Sequence, residues 1–319
     1  MAYGRSGYLA IHFQNSFGTS NTGSAHFIPL ISESIEESIG QLIEDNMYGR
    51  LAESPYHEGL HAVSGELRTE AHPIYLGAFL KAALGAISTT AQGSAFLHEF
   101  RPAATDWDDD AAVPPMTLEI HRDAGSAFLY YDALATDLGL EIAHGQLLSA
   151  ALGVVGGQFG RKSAATPSFH AGRPWTWDVV SASFDGATIP DLRQLTLRFS
   201  NQLAPFHTLG GGKTPRRIKR EGPQQVTVEG TLLLRDQALF QEYLDQSERR
   251  LLLTFAGETL SSSYSVQLTL DVPRLRFSEF KPALSGPGLL EVAFAAHGVY
   301  DSSSSYALRA TLTNTQAAY

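Results

Sequence analysis

Two stretches with the same alternating pattern decide the fold: Val63–Thr69 (VSGELRT) and Val226–Leu234 (VTVEGTLLL). In the first, Val63, Leu67 and Thr69 fall on one side, while Ser64, Glu66 and Arg68 fall on the opposite side. A period of two is typical of a half-buried β-strand. The same pattern in the second stretch predicts a second strand of the same kind.

A helical pattern follows each of these strands. Pro73–Leu84 has a proline at its start, apolar residues at helical spacing, and Gly85 where a helix would end. Asp236–Ser247 opens with an N-cap residue and has the same spacing of apolar residues. Val63 and Val228 are 165 residues apart, and the two helical patterns keep that offset, which indicates an internal repeat.

The rest of the chain predicts further strands and completes the repeat. Their predicted bounds are Met116–Arg122, Ala127–Tyr131, Leu138–Ile142, Leu147–Val155, Trp175–Phe184, Gln194–Ser200, Leu251–Phe255, Val266–Val272, Leu275–Phe280, Leu289–Ala295 and Leu308–Thr313. Residues 34–43 fit a helix or a strand, and the repeat favours a strand. We therefore predict an N-terminal arm (1–30), a first β-domain (31–160), a linker rich in Pro, Gly and Ser (161–174), a second β-domain (175–302) and a C-terminal arm (303–319).

The composition excludes several classes of protein. The 319 residues are 43% hydrophobic and 18% charged, which is typical of a globular chain and not of a disordered one. There is no cysteine, so disulfides and thiolate metal sites are excluded. The net charge of −10 argues against a general polyanion-binding surface. No secretory signal or membrane span is predicted, so we expect a protein made in a cytoplasm without membrane insertion.

The charge is divided unequally between the two predicted domains. Residues 31–160 contain 19 acidic and 5 basic residues, whereas 175–302 contain 14 and 13. The loop before the first alternating strand carries Glu44, Asp45, Glu53 and Glu58, and the matching loop of the second copy carries Lys213, Arg216, Arg217, Lys219 and Arg220. These loops are either two solvated segments or complementary surfaces, the acidic loop of one subunit docking on the basic loop of the next.

Motifs that would indicate an enzyme lack the context they need. His57–His61 (HEGLH) matches the zinc-peptidase pattern, but Gly59 interrupts it and a strand follows instead of a helix. The glycine-rich segment 210–214 (GGGKT) lacks the first glycine of a phosphate-binding loop. The run Asp106–Asp110 lacks the glycine and glutamate of a calcium loop. We predict no catalytic residues, no metal and no cofactor.

Several segments, in order, resemble a known family. They are Pro29–Ile35 (PLISESI), Gly49-Arg50, Ala62–Leu67 (AVSGEL) and Pro73–Gly85, with looser counterparts at Phe184–Gly186, Ile189-Pro190, Leu195–Ser200 and Val228–Gly230. The chain resembles the tail tube (major tail) proteins of long-tailed bacteriophages over nearly all of residues 1–302. Each motif is structural, and their order carries the resemblance.

The resemblance implies a mainly β fold of two tandem tail-tube domains, each a twisted β-sandwich or half-barrel with one flanking helix. It implies trimeric rings of pseudo-hexameric symmetry, stacked head to tail through the long loops 40–60 and 207–223. The hollow virion tail tube would be assembled in the host cytoplasm. Its partners would be further copies and other tail proteins (tape measure, initiator and terminator), with double-stranded DNA passing without specific binding. We expect Glu66, Glu70, Glu119 and Glu229 to face the lumen.

Three alternatives remain open at this stage. A soluble β-sandwich module that binds carbohydrate or protein would be a monomer with Trp175 and Trp177 lining a groove. An enzyme would depend on His57 and His61 alone. A tube protein of a contractile secretion system is a closer relative of the family that the motifs resemble.

Overall fold

The computed structural model describes residues 4–46, 48–49, 52, 55–102, 113–189, 191–261, 264–282 and 288–319. The fold is mainly β, as the sequence predicts. Its strands are β1 Tyr8–Phe13, β2 His26–Ile28, β3 Ser32–Glu33, β4 Glu36–Ile43, β5 Tyr56–Glu70, β6 Gly85–Gln92, β7 Ala95–Pro102, β8 Met116–His121, β9 Ala127–Ala143, β10 Ser149–Gly156, β11 Gln158–Lys162, β12 Val180–Phe184, β13 Ala187–Thr188, β14 Leu192–Ser200, β15 Leu203–Phe206, β16 Arg217–Arg220, β17 Gln225–Leu233, β18 Glu248–Ser261, β19 Tyr264–Pro282, β20 Glu291–Gly298 and β21 Arg309–Asn314. The helices are α1 Leu76–Leu84 and α2 Ala238–Leu244.

The main feature is an antiparallel sheet of eight strands in the order β4-β5-β10-β9-β14-β17-β20-β19. The first four strands belong to the first copy of the repeat and the last four to the second. The copies are joined where β9 pairs with β14, with Gln194 opposite Ala143 and Ser200 opposite Asp137. We call this junction the internal seam.

Two further sheets pack behind the main sheet and share its longest strands. The N-terminal part of β9 pairs with β8 and β11, and β1 and β2 continue that sheet. The N-terminal part of β19 pairs with β18 and β21, and the sheet continues through β12 on one side and β7 and β6 on the other. Each copy is therefore a bent two-layer unit, in which one long strand crosses from layer to layer.

The two helices confirm the helical patterns in the sequence, but they pack differently. In α1, eight of nine residues are buried, Phe79 and Leu80 among them, and Gly85 ends the helix with a φ of 82°. Burying two such side chains stabilises the fold by roughly 3–6 kcal/mol. In α2, by contrast, no residue is fully buried, and Leu244 is 55% exposed.

Equivalent bulges in β9 and β19 give the structural offset of the repeat. The register shifts opposite Gly153 in the first copy and opposite Ala295 in the second. Gly153 pairs with Glu66 and Ala295 pairs with Glu229, so these two glutamates are equivalent and lie 163 residues apart. The offset of 165 read from the sequence letters differs by two residues, which preserves the face of every side chain.

The sequence predicts terminal arms outside the fold, but both terminal segments contribute strands to it. β1 is almost completely buried, and β21 pairs with β19 of the second copy and with β7 of the first. The copies are also interleaved, because the β6–β7 hairpin of the first copy extends the rear sheet of the second. Segment 163–174 has no regular structure and is mostly exposed, while residues 161 and 162 of the predicted linker lie in β11.

Candidate functional site

The main sheet has one buried face and one exposed face, which we call the polar face. The described positions of the polar face hold Ser, Thr, Gly, Ala, Gln, His and charged residues, and none holds a large apolar side chain. The positions are 34, 36 and 38; 64, 66, 68 and 70; 149, 151 and 153; 137, 139, 141 and 143; 194, 196, 198 and 200; 225, 227, 229 and 231; 291, 293, 295 and 297; and 279 and 281. In the single chain this face of the sheet is in contact with water, which favours polar side chains.

Carboxylates outnumber basic groups on the polar face. The carboxylates belong to Glu36, Glu66, Glu70, Asp137, Glu141, Glu229, Glu279 and Glu291, and the basic groups to Arg68, Arg198 and Lys281. Across the internal seam, Gln194 Nε2 donates to Glu141 Oε1 at 3.1 Å. A concavity of about 370 Å³ lies over β17, β20 and β19 on this face.

Three of the four glutamates that the sequence predicts to face a lumen lie on the polar face: Glu66, Glu70 and Glu229. Glu119 does not, because it is buried in β8. Tyr8 Oη donates to its Oε1 at 2.7 Å and Lys162 Nζ to its Oε2 at 2.8 Å. Burial alone would raise the pKa of Glu119, but these two donors outweigh it and the pKa is lowered. Glu119 joins β1, β8 and β11, so the prediction of a lumen position for it is wrong.

The predicted acidic and basic loops are two hairpins that meet within one chain. The acidic hairpin consists of residues 40–61, the end of β4, the start of β5 and the residues between them, and the basic hairpin consists of residues 201–224. Lys213 Nζ forms an ion pair with Glu58, and the His61 backbone N–H donates to the Lys213 carbonyl at 2.8 Å. Both hairpins therefore lie at the same end of the main sheet, and this contact does not need a second subunit.

The other predicted loop residues are distributed over these two hairpins. Glu44 Oε1 lies 3.0 Å from His57 Nε2, and hydrogen bonds from Tyr48 and His57 lower its pKa. A hydrogen bond from Lys213 and, to a smaller extent, one from His61 lower the pKa of Glu58. Asp45, Arg216 and Arg217 are exposed, whereas Lys219 and Arg220 are half-buried; Glu53 and Asp106–Asp110 lie outside the described residues.

Large apolar side chains are exposed on both hairpins, which the charge pattern did not reveal. In the acidic hairpin, Leu42 and Ile43 are 62% exposed and Tyr56 is 66% exposed. In the basic hairpin, Phe206 is 56% exposed and Leu209 is fully exposed. Exposed apolar side chains at the end of a hairpin are typical of surfaces that contact another protein.

The main sheet has two free edges. No described strand pairs with the outer edge of β4, and none pairs with the edge of residues 279–282 of β19 that faces away from β20. The segment that leads into β4 is anchored to the end of β8, because Arg122 donates to Glu33 at 2.7 and 3.0 Å and to the Ile35 carbonyl at 2.6 Å. Its hydrogen bonds with Glu33 raise the pKa of Arg122.

Neither the histidines that an enzyme would need nor the tryptophans that a binding module would need are grouped into a site. His57 and His61 lie on strand β5, and each contacts a different glutamate, Glu44 or Glu58. Trp175 is buried, while Trp177 is 41% exposed and packs on His144 at 4.4 Å between ring centres. Within the described ranges, no three potential metal ligands are grouped, and no helix has the length and hydropathy to cross a membrane.

Comparison with protein families identifies one family for this chain. The family model described as "Phage tail tube protein" matches residues 4–298. No curated protein matches the chain.

Proposed function

The chain belongs to the phage tail tube protein family, and on this premise we propose that it is a structural virion protein that assembles into stacked rings around a DNA channel. Three chains would form one ring of pseudo-hexameric symmetry, because each chain supplies two equivalent units. The tube would belong to a long tail, be assembled in the host cytoplasm with tape measure, initiator and terminator proteins, and conduct DNA during ejection.

The observation that carries the proposal is the internal seam. At the seam, β9 of the first copy pairs with β14 of the second. In the repeat, β9 corresponds to β19 and β14 corresponds to β4. β19 and β4 are the two strands at the free edges of the main sheet. An exposed edge is a template for strand pairing, and a closed barrel removes it. We infer that β19 of one chain pairs with β4 of the next, as β9 pairs with β14.

The equivalent bulges give the register of this external seam. Ser200 lies opposite Asp137 in the internal seam. Their equivalents are Ser38 and Glu279, both on the polar face. The next pair would place Glu36 opposite Lys281, which adds a charge-complementary contact across the seam. Arg122 anchors Glu33 and Ile35, directly before β4, which supports the start of the strand that a neighbour would meet.

The polar face would then form the wall of the channel. Its carboxylates, with Glu66, Glu70 and Glu229 among them, would repel the DNA backbone. Tight phosphate contacts would resist movement because each one is stabilised by counterion release. We propose that the small polar and acidic residues of this face let DNA pass without binding it, and that the two hairpins contact the adjacent ring.

A disulfide experiment tests the external seam directly, because the natural chain has no cysteine. The variant Ser38→Cys/Glu279→Cys should form covalent trimers after mild oxidation, visible on non-reducing gels, and rings with threefold or sixfold end views by electron microscopy. The matched control is Asp137→Cys/Ser200→Cys, which should form a disulfide within one chain. A control that oxidises while the test variant stays monomeric would contradict the proposed closure.

A further inference from the structure

We propose that Leu209, at the tip of the basic hairpin, inserts into the apolar pocket beside α2 of a second copy in the adjacent ring. This inference rests on the proposed function and names the contact that would join one ring to the next. It commits to one occupant for the pocket, which is the hairpin of another copy of this chain.

Leu209 is unusual because its whole side chain is in solvent. It lies in a tight turn, in which the Gly211 N–H donates to the Thr208 carbonyl at 3.1 Å and Gly210 and Gly212 have φ values of 73° and 89°. Such φ values favour glycine, so the turn fixes the position of the leucine. Phe206, on the strand that leads to the turn, is more than half exposed. Burying a leucine side chain stabilises a contact by about 2 kcal/mol.

The pocket has about 340 Å³ of free space between α2, the β12–β13 turn and the end of β17. Its apolar lining includes Phe184, Ile189, Leu232 and Leu239. A volume of this size accommodates a leucine side chain and part of the turn that carries it. In the first copy, the equivalent helix α1 is buried on nearly all sides, so the open surface beside α2 is a specific difference between the copies.

The turn and the pocket lie at opposite ends of the same pair of strands. β14 and β17 are antiparallel, with Ser200 opposite Gln225 at the hairpin end and Leu192 opposite Leu232 at the pocket end. Nine residues of strand separate the ends by about 30 Å. A projection at one end and a cavity at the other form a heterologous contact, which generates an open stack when it repeats along an axis.

The charges around the two features are complementary. The hairpin presents Arg216, which is exposed, whereas its Lys213 is already paired with Glu58, and the pocket is lined in part by Asp236 at the start of α2. The Asp236 carboxylate accepts the Ala238 backbone N–H at 2.9 Å and forms no ion pair among the described residues. The other charged groups of the pocket are paired with each other, Arg235 with Asp191 and Arg249 with Glu242.

A second hairpin with exposed apolar side chains and a second cavity also lie at these two ends. The acidic hairpin exposes Ile43 and Tyr56 at the same end of the sheet as the basic hairpin. At the other end, beyond Glu70, a cavity of about 440 Å³ lies between Pro73, Trp175 and Leu260, so both copies contribute to its lining, which contains both Arg173 and Glu258.

The test compares tube and ring formation by the full-length chain and two variants. Leu209→Asp should raise the concentration needed for tube formation by about 30-fold or more, since one lost leucine contact of about 2 kcal/mol corresponds to about a 30-fold change in affinity and a ring contains three. Pelleting and electron microscopy would measure tubes, and rings should still form. The conservative variant Leu209→Met should form tubes at the concentration that the natural chain needs.

A disulfide pair tests the partner of Leu209. Leu209→Cys/Ala187→Cys should produce a ladder of linked chains on oxidation, because Ala187 is exposed at the pocket. Each single-cysteine variant should give no ladder. Normal tubes from Leu209→Asp, or no ladder from tubes of the double variant, would overturn this inference alone. Failure of the natural chain to form either rings or tubes would overturn the proposed function as well.

Discussion

Replacing Asp271 by asparagine removes a negative charge from the centre of a buried network in the second copy. Asp271 is buried on β19. Its Oδ1 accepts from Arg250 Nε, and its Oδ2 from Arg250 Nη2 and Arg309 Nη2, each at 2.8 Å. Tyr306 Oη also donates to Oδ2, at 2.7 Å. The carboxylate therefore joins β18, β19, β21 and the turn before β21.

The magnitude follows from burial and from the exposure of the partners. Removing one partner of a buried ion pair costs about 3–5 kcal/mol. Here the Arg250 side chain is 50% exposed and that of Arg309 is 27% exposed, so water can solvate the released guanidinium groups. We therefore expect Asp271→Asn to lower the free energy of unfolding by about 2–3 kcal/mol.

Urea titration at neutral pH, followed by tryptophan fluorescence, measures this loss as the shift in midpoint multiplied by the slope. The matched control is Glu291→Gln, because the Arg193 and Glu291 side chains of that pair are both about half exposed. We expect the control to cost less than about 1 kcal/mol. Equal losses for the two variants would refute the reasoning that burial makes the Asp271 network strong.

Three further predictions concern the core of the fold. A Cβ on Gly77 would overlap the Tyr319 ring, so Gly77→Ala should destabilise the chain by about 1–3 kcal/mol; in a Tyr319→Ala background it should stabilise by up to about 1 kcal/mol through helix propensity, a reversal that thermal unfolding would detect. Asn201 Nδ2 donates to the Ala83 carbonyl at 2.8 Å, so Asn201→Ala should cost about 1–3 kcal/mol in urea titrations, and an unchanged midpoint would contradict this. The folded-state pKa of Glu119 is lowered, so its contribution to stability is present above about pH 4.3 and is lost as the pH falls through the folded pKa; Glu119→Gln should therefore lose less stability than the natural chain on acidification.

Local patterns in the sequence predict most of the individual elements. Alternation in Val63–Thr69 and Val226–Leu234 predicts β5 and β17, and helical spacing predicts α1 and α2. These signals are readable because a half-buried strand or helix places apolar residues at a fixed interval. The family resemblance also rests on local motifs, and the family match confirms that the chain is a phage tail tube protein.

Strands buried on both sides give no such signal. The β1 strand Tyr8–Phe13 has no clear alternation because both of its faces are buried, so the sequence predicts only a terminal arm there. The same reason explains the error at Glu119. In β8, five of six residues are buried, so alternation does not indicate which side chain reaches solvent. Only the positions of Tyr8 and Lys162 show why a carboxylate is stable there.

The sequence by itself determined the fold class, the two helices and the unequal distribution of charge along the chain, and it predicts the repeat. Each is a property of composition or of residues a few positions apart. The tertiary structure decided which strands pair, that both charged hairpins lie at one end of the sheet, and that β4 and β19 are left with free edges. These features depend on contacts between residues far apart in the chain, whose energies come from packing and hydrogen bonding in three dimensions.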